Sequence, residues 1–452
     1  MAMSETSLKQ AVDRWVNHER RTVTRSIFVD EDVYQAEQER IFARAWLFLG
    51  HESQIAKPGD YFVSRMGEES VILTRDRQGE IHAFLNSCMH RGMKVCRYDE
   101  GNTPVFTCPY HGWSYGLDGS LVGVPYFKEA YHSELKKNEW GLVEVAQLAN
   151  YKGTIWATWD KTAPSFNEFM GDMLFYLDDL LDGRDGTPGG SEVYGGVQKW
   201  ITPTNWKSAA ENRAGDGYHN VSHRSVDLVG IGPSGGRGRR DSEVGSSVAF
   251  NSIMENGHTI MGSLQLEDLP HTPTYQQSKI AAEWAEHNYY ERQKNYGERA
   301  RVLSSGGNAF PNFSFWCRQP RRIFVLHPGG NAMNSEFWSW FLVDANAPKE
   351  VKDILRHYSL RYSGPAGMTE QDDMENWNYA TKASKGAIAS RQPYNYQMGM
   401  NNMETHPALR GKVVWHMGEQ NQFGMYAYWA DLMASDSWDE VMARRQKRGN
   451  LP

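Results

Sequence analysis

Four residues within a short stretch constrain this chain more than any other feature of its sequence. Cys88 and His90 form a Cys-x-His pair, and Cys108 and His111 form a Cys-x-x-His pair after 17 intervening residues. Each pair stands in a turn-rich segment with a glycine close by. Two thiolates and two imidazoles supplied by two loops can hold metal ions from opposite sides. The pattern therefore predicts a metal-binding domain built around these two loops.

The mixed composition of each pair decides which kind of metal centre is expected. A structural zinc site also uses Cys and His, but zinc fingers usually place two Cys in one loop and two His in the other. A Rieske-type [2Fe–2S] centre holds one iron by two thiolates and the other by two neutral imidazoles. Gly92 and Gly112 would let backbone N–H groups approach such a cluster. We therefore expect a Rieske centre, with zinc as the alternative.

Length, charge and cysteine content bound the remaining possibilities. The chain has 452 residues, which exceeds one ordinary core and predicts two domains. Its formal net charge of −7 disfavours nucleic acid and anionic membranes as partners. It has four cysteines, of which Cys96 and Cys317 lie outside the pattern and are expected to be buried small side chains. This usage, with no signal peptide or long apolar run, predicts a cytoplasmic protein.

Hydrophobic patterning predicts the domain organisation. Residues 30–48 have a helical period that begins at the candidate N-cap Asp30, and short β-rich runs follow from 54 to 159. Beyond them, helices and strands mix. We expect an α+β chain in which an antiparallel β Rieske domain is inserted beside a larger α+β catalytic domain, an antiparallel sheet flanked by helices. The predicted bounds are 1–40 for the N-terminal helical part of the catalytic domain, 41–160 for the Rieske domain and 161–452 for the catalytic domain.

Two segments carry a resemblance to a known family. The segment "HGWSYGLDGSL", which begins at His111, is similar almost residue for residue to the Rieske domain of the bacterial aromatic ring-hydroxylating dioxygenases, in their large (α) subunits. The segment "NWKSAAENRAGDGYHNVSH" (205–223) resembles the iron-binding segment of that family and reads as a helix weakened by two glycines. The resemblance implies that His219 and His223 are ligands of a mononuclear iron. Without it, two histidines four residues apart are a weak signal.

The third ligand of such an iron must come from elsewhere, because the site needs two His and one carboxylate with positions left open for O₂ and substrate. The segment "SGPAGMTEQDDMENW" resembles the family's carboxylate segment and opens a predicted helix over 369–383. The resemblance implies Asp373 as the ligand, with the neighbouring Asp372 as the alternative.

Two further residues are implied to be catalytic. In the family, the residue that matches Asp216 bridges the iron-ligating His to the Rieske His of a neighbouring subunit, and a carboxylate there orients both imidazoles. This implies an electron path from His111 of one chain through Asp216 to His219 of the next. Asn212 is the second expected catalytic residue.

Three polar residues bear on the substrate. Arg213, Ser363 and Thr369 stand where hydrocarbon-oxidising relatives commonly carry apolar or aromatic residues, so we expect them to bind substrate. Arginine suits a bidentate grip on a carboxylate. The hypothesis from the sequence is an aromatic carboxylic acid, with a polycyclic hydrocarbon as an alternative.

The resemblance implies cis-dihydroxylation of an aromatic ring with O₂ and electrons from NAD(P)H. Residues 230–235 satisfy GxGxxG, but the strand, turn and helix of a dinucleotide site are missing. Electrons are therefore expected from a ferredoxin, a reductase or both. A small β subunit in an α₃β₃ assembly is also implied. A Rieske monooxygenase or demethylase is an alternative with the same metals, and a pure electron carrier would leave the second half of the chain without a role.

Overall fold

A computed structural model of the protein describes residues 5–230, 247–318, 320–400 and 402–449. Most of the GxGxxG match lies outside the described residues. The described chain divides into two compact units: Phe42–Ala163 form one, and the residues before and after them form the other. The predicted fold class is confirmed, since both units are built on antiparallel sheets and one of them carries helices.

The unit Phe42–Ala163 is made of short antiparallel strands in three small sheets. The four-stranded sheet has the order Ile81–Leu85, Glu69–Arg75, Asp60–Met66 and Glu100–Asn102. The second sheet has three strands in the order Leu121–Gly123, Ser114–Tyr115 and Phe106–Thr107. The third sheet also has three strands, in the order Gln147–Tyr151, Thr154–Thr158 and Leu47–His51. Cys88 and Cys108 are buried in the same hydrophobic cluster as Phe106, Trp113 and Tyr115. The loops that carry the cysteines are thus anchored in the core of this unit.

The second unit is organised on a nine-stranded antiparallel sheet. Its strand order is Ser191–Thr202, Ser335–Asp344, Arg321–Pro328, Phe313–Trp316, Val302–Ala309, Thr259–Gln265, Ser247–Ile253, Lys412–Trp415 and Met403–Glu404. A small sheet joins Val16–Asn17, Thr22–Val23 and Tyr394–Asn395. Most neighbouring strands are close in sequence and pair as hairpins. The edge strand Ser191–Thr202 instead pairs with Ser335–Asp344, which lies much later in the chain.

The α-helices of the described chain all belong to this second unit. Their bounds are Glu5–Trp15, Glu31–Glu37, Phe166–Met170, Met173–Leu181, Trp206–Arg213, Arg224–Val229, Lys279–Tyr296, Lys349–Tyr362, Met368–Ser384, Gln420–Met433 and Trp438–Arg448. Helix Gln420–Met433 is buried along its whole length. None of the described helices is both long and apolar enough to cross a membrane.

Two of the predicted helices have instructive bounds. Helix Met368–Ser384 agrees with the prediction for 369–383. The helix predicted over 30–48 begins as expected, with the Asp30 carboxylate accepting the N–H of Asp32 at 2.9 Å, but its helical turns end at Phe42. The prediction was wrong beyond that point because Leu47–His51 is a strand buried at every position. A short apolar run buried on all sides has no period that separates strand from helix.

Two candidate iron centres

The first candidate centre lies between the two cysteine loops. In the first loop the Gly92 N–H donates to the Cys88 carbonyl at 2.8 Å, and the Cys88 N–H donates to the Met93 carbonyl at 2.8 Å. Gly92 has a φ of +71°, a left-handed conformation that glycine adopts at little cost. These bonds close the loop tightly around the cysteine.

The second loop repeats this geometry. The Gly112 N–H donates to the Cys108 carbonyl at 3.0 Å, and the Cys108 N–H donates to the Trp113 carbonyl at 2.8 Å. Gly112 has a φ of +75°. Two loops of the same backbone form therefore each present one cysteine and one histidine.

The side chains of the two loops converge. The rings of His90 and His111 lie 4.6 Å apart between centroids, and His90 stacks on Trp113 at 4.9 Å. Nδ1 of His90 is buried, and no hydrogen bond from the described residues reaches it. Such an orphaned imidazole nitrogen fits a metal ligand, because a buried polar atom without a partner is otherwise costly.

The sulfur atoms are held by donors that a thiolate needs. The Tyr115 hydroxyl lies 3.2 Å from Sγ of Cys88. Burial raises the pKa of the Cys108 thiol, backbone N–H groups of Tyr110 and His111 lower it, and the neighbouring Cys88 raises it again. Donors aimed at the sulfur atoms suit thiolates that are bound to metal. This donor set fits a Rieske cluster.

The second candidate centre begins at helix Trp206–Arg213. The Asn205 side chain caps this helix by accepting the Lys207 N–H at 3.0 Å. The helical conformation is interrupted at Gly215, whose φ is +119°, and the chain continues as a 3₁₀ turn over Tyr218–His223. The irregularity that the two glycines predicted is therefore present, and it places both histidines on a separate short turn.

Three side chains meet at this turn. Nε2 of His219 lies 3.0 Å from Nε2 of His223, and Oδ1 of Asp373 lies 3.3 Å from each of them. Within the described residues, these form a group whose ligand atoms all lie within 4.8 Å of one another. Bonds of about 2.1 Å at right angles would place ligand atoms about 3 Å apart, so the geometry fits a two-His, one-carboxylate face.

Neighbouring groups orient these three side chains. The Asp216 Oδ1 accepts the His219 N–H at 3.2 Å, and the Asp216 carbonyl contacts Nδ1 of His219. Asp372 lies on the far side of the other imidazole, with its Oδ2 3.4 Å from Nδ1 of His223. Of the two candidate carboxylates, Asp373 thus faces the ligand atoms, whereas Asp372 is placed to orient a histidine.

The charges in this cluster are strongly coupled. Burial raises the pKa of Asp373, but the two imidazoles and the Arg213 guanidinium outweigh burial and hold it well below its usual range. Burial lowers the pKa of His219, yet hydrogen bonds to Asp216 and Asp373 raise it to about 10. Metal binding requires a neutral imidazole, so a metal ion must displace this proton.

A cavity of about 470 Å³ opens onto the cluster. The cavity is lined by each of the residues expected to act in catalysis or substrate binding, namely Asn212, Asp216, Arg213, Ser363 and Thr369. The three candidate ligands, His219, His223 and Asp373, also line it. The structure therefore brings together every residue that the sequence assigned to this half of the chain.

The surroundings of Arg213 do not support its expected role. Its Nη2 lies 2.7 and 2.6 Å from the two oxygens of Glu370, whose side chain is fully buried, and 3.7 Å from Oδ2 of Asp373. The guanidinium also lies over the Phe324 ring, 4.6 Å from its centroid. Arg213 already has a carboxylate partner from the protein, so the interpretation of it as a grip for a substrate carboxylate is not supported.

One of the two hydroxyls expected to contact substrate already has a partner in the protein. The Thr369 hydroxyl donates to the Tyr362 carbonyl. Ser363 is buried and directly follows helix Lys349–Tyr362. Sequence reasoning missed Glu370, to which it assigned no role. Its spacing from Asp373, three residues along one helix, was the available signal.

Two segments of the chain match known protein families. Residues 45–150 match the Rieske [2Fe-2S] domain, and residues 187–435 match the ring hydroxylating alpha subunit (catalytic domain). The chain belongs to the family of ring-hydroxylating dioxygenase α subunits. As a member it is an aromatic ring-hydroxylating dioxygenase that carries a Rieske [2Fe–2S] cluster and a mononuclear iron.

Similar members of the family cover the whole fold. The biphenyl dioxygenase subunit alpha of Paraburkholderia xenovorans (strain LB400) is 37% identical, over 95% of this chain and 94% of its own. The benzene 1,2-dioxygenase subunit alpha of Pseudomonas putida is also 37% identical, over 93% and 92%. The structure of naphthalene 1,2-dioxygenase from Rhodococcus sp. bound to indole has a TM-score of 0.79 at 35% identity, over 96% and 98%.

Proposed function

We propose that this dioxygenase α subunit cis-dihydroxylates a ring of an aromatic hydrocarbon, rather than of an aromatic acid. The observation that carries the proposal is the Arg213–Glu370 pair, because the arginine that lines the cavity beside the metal cluster is already bonded to both carboxylate oxygens of Glu370. A carboxylate moved into this space would lose its hydration and meet Glu370 and Asp373 close by. The named substrates of the similar proteins, biphenyl, benzene and naphthalene, agree with an uncharged ring.

The cavity walls support the same conclusion. The volume of about 470 Å³ lies in the usual range for a small-molecule site. Large apolar side chains form much of the wall; among them are Phe250, Met261, Leu269, Leu303, Trp316 and Phe324. These residues bind by removing apolar ring surface from water and keep the space near the cluster dry.

The protein's residues have separate tasks in the proposed reaction. His219, His223 and Asp373 hold the iron, and Cys88, His90, Cys108 and His111 hold the Rieske cluster. When bound, the mononuclear iron would activate O₂ and the cluster would supply electrons. Asp216 fixes the orientation of His219.

Electrons and assembly are part of the proposal. We infer that NAD(P)H supplies electrons through a reductase, a ferredoxin or both, and that a small β subunit completes an α₃β₃ assembly. Asp216 keeps 28% of its side chain exposed while it is bonded to His219. Such a carboxylate is accessible to a histidine of a second chain, which supports a path from His111 of one subunit to His219 of the next.

Product analysis with labelled oxygen tests the reaction. The enzyme, with surrogate redox partners and ¹⁸O₂, is supplied with biphenyl, naphthalene or benzene, each beside its own carboxylic acid. We expect cis-diols of the hydrocarbons with both hydroxyl oxygens labelled, and turnover of each acid slower by about tenfold or more. A product with one labelled oxygen would instead support a monooxygenase. Turnover confined to the acids would reject the hydrocarbon proposal.

Complementation between two inactive chains tests the electron path. Cys108→Ser removes a cluster ligand, and His219→Ala removes an iron ligand. Co-expressed in one cell, the two variants form mixed oligomers in which an intact cluster of one chain can face an intact iron site of the other. We expect diol formation to return in the mixture and to be absent from each variant alone. Continued inactivity of mixed oligomers that retain both centres would reject the path.

A further inference from the structure

Residues 214–216 interrupt the helical backbone between helix Trp206–Arg213 and the 3₁₀ turn Tyr218–His223. This interruption, called the break below, is held by side chains from elsewhere in the fold. A helix end leaves carbonyl groups without helical partners. Here the Asn421 Nδ2 donates to the Ala214 carbonyl at 2.8 Å. The Asn251 Nδ2 donates to the Gly215 carbonyl at 2.7 Å. Two consecutive carbonyls of the break are therefore bonded by two asparagines.

The asparagine pair (Asn251 and Asn421) is rigidly placed. Asn251 stands on strand Ser247–Ile253 and Asn421 on helix Gln420–Met433, and their exposed fractions are 1% and 0%. Asn251 also donates to the His416 carbonyl at 3.1 Å, and Asn421 to the Ile260 carbonyl at 3.3 Å. Each amide thus fastens the break to a second segment of the unit.

Gln422 extends the same arrangement by one residue. With its amide oriented to satisfy its neighbours, it accepts the Asp216 N–H and donates to the Glu419 carbonyl, both at 3.3 Å. Three consecutive residues of the break are then bonded by three buried carboxamide side chains.

Gly215 is required because the asparagine pair leaves no room for a side chain at this position of the break. A Cβ at Gly215 would lie 2.7 Å from Nδ2 of Asn421 and 3.1 Å from Nδ2 of Asn251. The amides therefore occupy the space that any other residue's side chain would need. The φ of +119° at this glycine is the conformation that the two hydrogen bonds hold.

The break leads directly to the metal cluster. Asp216, the next residue, accepts the His219 N–H on its Oδ1, and its carbonyl contacts Nδ1 of the same histidine. A shift of the backbone at Gly215 would therefore move both the orienting carboxylate and the imidazole.

We propose that Asn251 and Asn421 are positioning residues, which hold the break at 214–216 and thereby set the position of Asp216 and of His219. The proposal rests on the proposed role of His219 as an iron ligand, and it is independent of the substrate. Residues that orient metal ligands commonly change metal affinity by about 10- to 100-fold when they are replaced.

Asn421→Leu tests the proposal, since Asn421 does not line the cavity and the substitution removes the donor at nearly constant size. Asn312→Leu is the matched control, because Asn312 is also buried and donates to a backbone carbonyl, that of Leu326, at 3.1 Å. The holoenzymes are dialysed against a ferrous chelator without substrate or O₂, and iron loss and the EPR signal of the reduced cluster are followed. His223→Ala, which lacks a ligand, gives the iron content of a chain whose mononuclear site does not retain its iron.

We expect Asn421→Leu to lose one iron per chain about tenfold faster than wild type or more, with the cluster signal unchanged, and Asn312→Leu to lose it at the wild-type rate. Equal rates in Asn421→Leu and Asn312→Leu would overturn the proposal. Asn421→Ala and Asn312→Ala repeat the comparison if either leucine variant does not fold. A His223→Ala variant that keeps three iron atoms per chain as long as wild type does would instead reject the ligand assignment, which separates the two failures.

Discussion

Arg213 shows how one partner decides what a residue in a cavity can do. Its side chain is only 10% exposed and that of Glu370 is fully buried, so the two charges stabilise each other away from water. Removing one member of a buried pair costs about 3–5 kcal/mol, because the other charge is left without a partner. Arg213→Leu should therefore destabilise the catalytic unit by about this amount.

The double variant Arg213→Leu/Glu370→Leu is the control for that prediction. It removes both charges, so most of the lost stability should return. Denaturant unfolding of the single and double variants measures both values. A double variant less stable than Arg213→Leu alone would show that Glu370 has a favourable partner other than Arg213, and the pairing account would be wrong.

Glu211 gives the site a dependence of stability on pH. It is buried on helix Trp206–Arg213, and its Oε2 accepts the hydroxyls of Tyr396, at 2.9 Å, and Tyr426. Burial raises the pKa of Glu211 to about 8, although the two hydroxyls lower it. Between the unfolded value near 4.5 and this folded value, the folded chain holds a proton that the unfolded chain has lost. Stability from this group is therefore complete below about pH 4.5 and falls as the pH rises toward 8.

Glu211→Gln should remove this dependence. The free energy of unfolding of the variant, relative to wild type, should rise with pH by up to about 1.4 kcal/mol per unit between about pH 5.5 and 7.5. Denaturant unfolding at both pH values measures it. Glu350→Gln, at an exposed position, should follow the wild-type profile. Parallel profiles for Glu211→Gln and wild type would refute the prediction.

Residues within one motif could be predicted, and their distant partners could not. The ligand sets Cys88–His90 and Cys108–His111 follow from spacing and ligand chemistry. His219, His223 and Asp373 needed the family resemblance, and the structure then separated Asp373 from Asp372. Glu370 lies 157 residues from its partner Arg213, and Asn421 lies 207 residues from its partner Ala214. A local sequence pattern carries no information about contacts over such separations.

At the scale of elements, a buried charge pair ties helix Glu31–Glu37 to helix Trp206–Arg213, which precedes the candidate metal ligands. The Lys207 Nζ donates to Oε1 of Glu37 at 2.5 Å, and both side chains are fully buried. The indole N–H groups of Trp206 and Trp429 donate to the same carboxylate at 2.9 and 2.8 Å. A single carboxylate thus joins three helices.

Lys207→Met should cost about 3–5 kcal/mol of stability, since it leaves the Glu37 charge buried with two neutral donors. Lys349→Met is the matched control, because Lys349 is 81% exposed and solvent screens its ion pair with Asp353. Denaturant unfolding of the two variants gives the comparison. Similar losses in both would mean that the Glu37–Lys207 pair does not hold these helices together.

Element ends were the least predictable part of the fold. Asp30 marked the start of its helix correctly because an N-cap is a local interaction. The end at Phe42 was missed because the apolar run after it pairs as a strand with Thr154–Thr158, far along the chain. The broken helix over 205–223 was foreseen from its glycines, but the side chains that hold the break come from other elements.

At the scale of the whole molecule, the order of the two functional parts was readable from the sequence, since each part carries its own motif. The nine-stranded sheet was not, because its edge strand Ser191–Thr202 pairs with Ser335–Asp344 across a long stretch of chain. That sheet and the helices around it form the cavity walls. The contacts of cavity residues such as Arg213 were therefore unknown when the substrate was predicted from the sequence.

Iron content tests the central claim most directly, namely that two separate iron centres are held by the residues named here. Total iron and the EPR signal of the reduced cluster are measured on wild type, His223→Ala and Cys108→Ser. We predict about three iron atoms per chain in wild type, about two with an unchanged cluster signal in His223→Ala, and about one without that signal in Cys108→Ser. Two iron atoms in wild type that remain two in His223→Ala would contradict the account, as would loss of the cluster signal in His223→Ala.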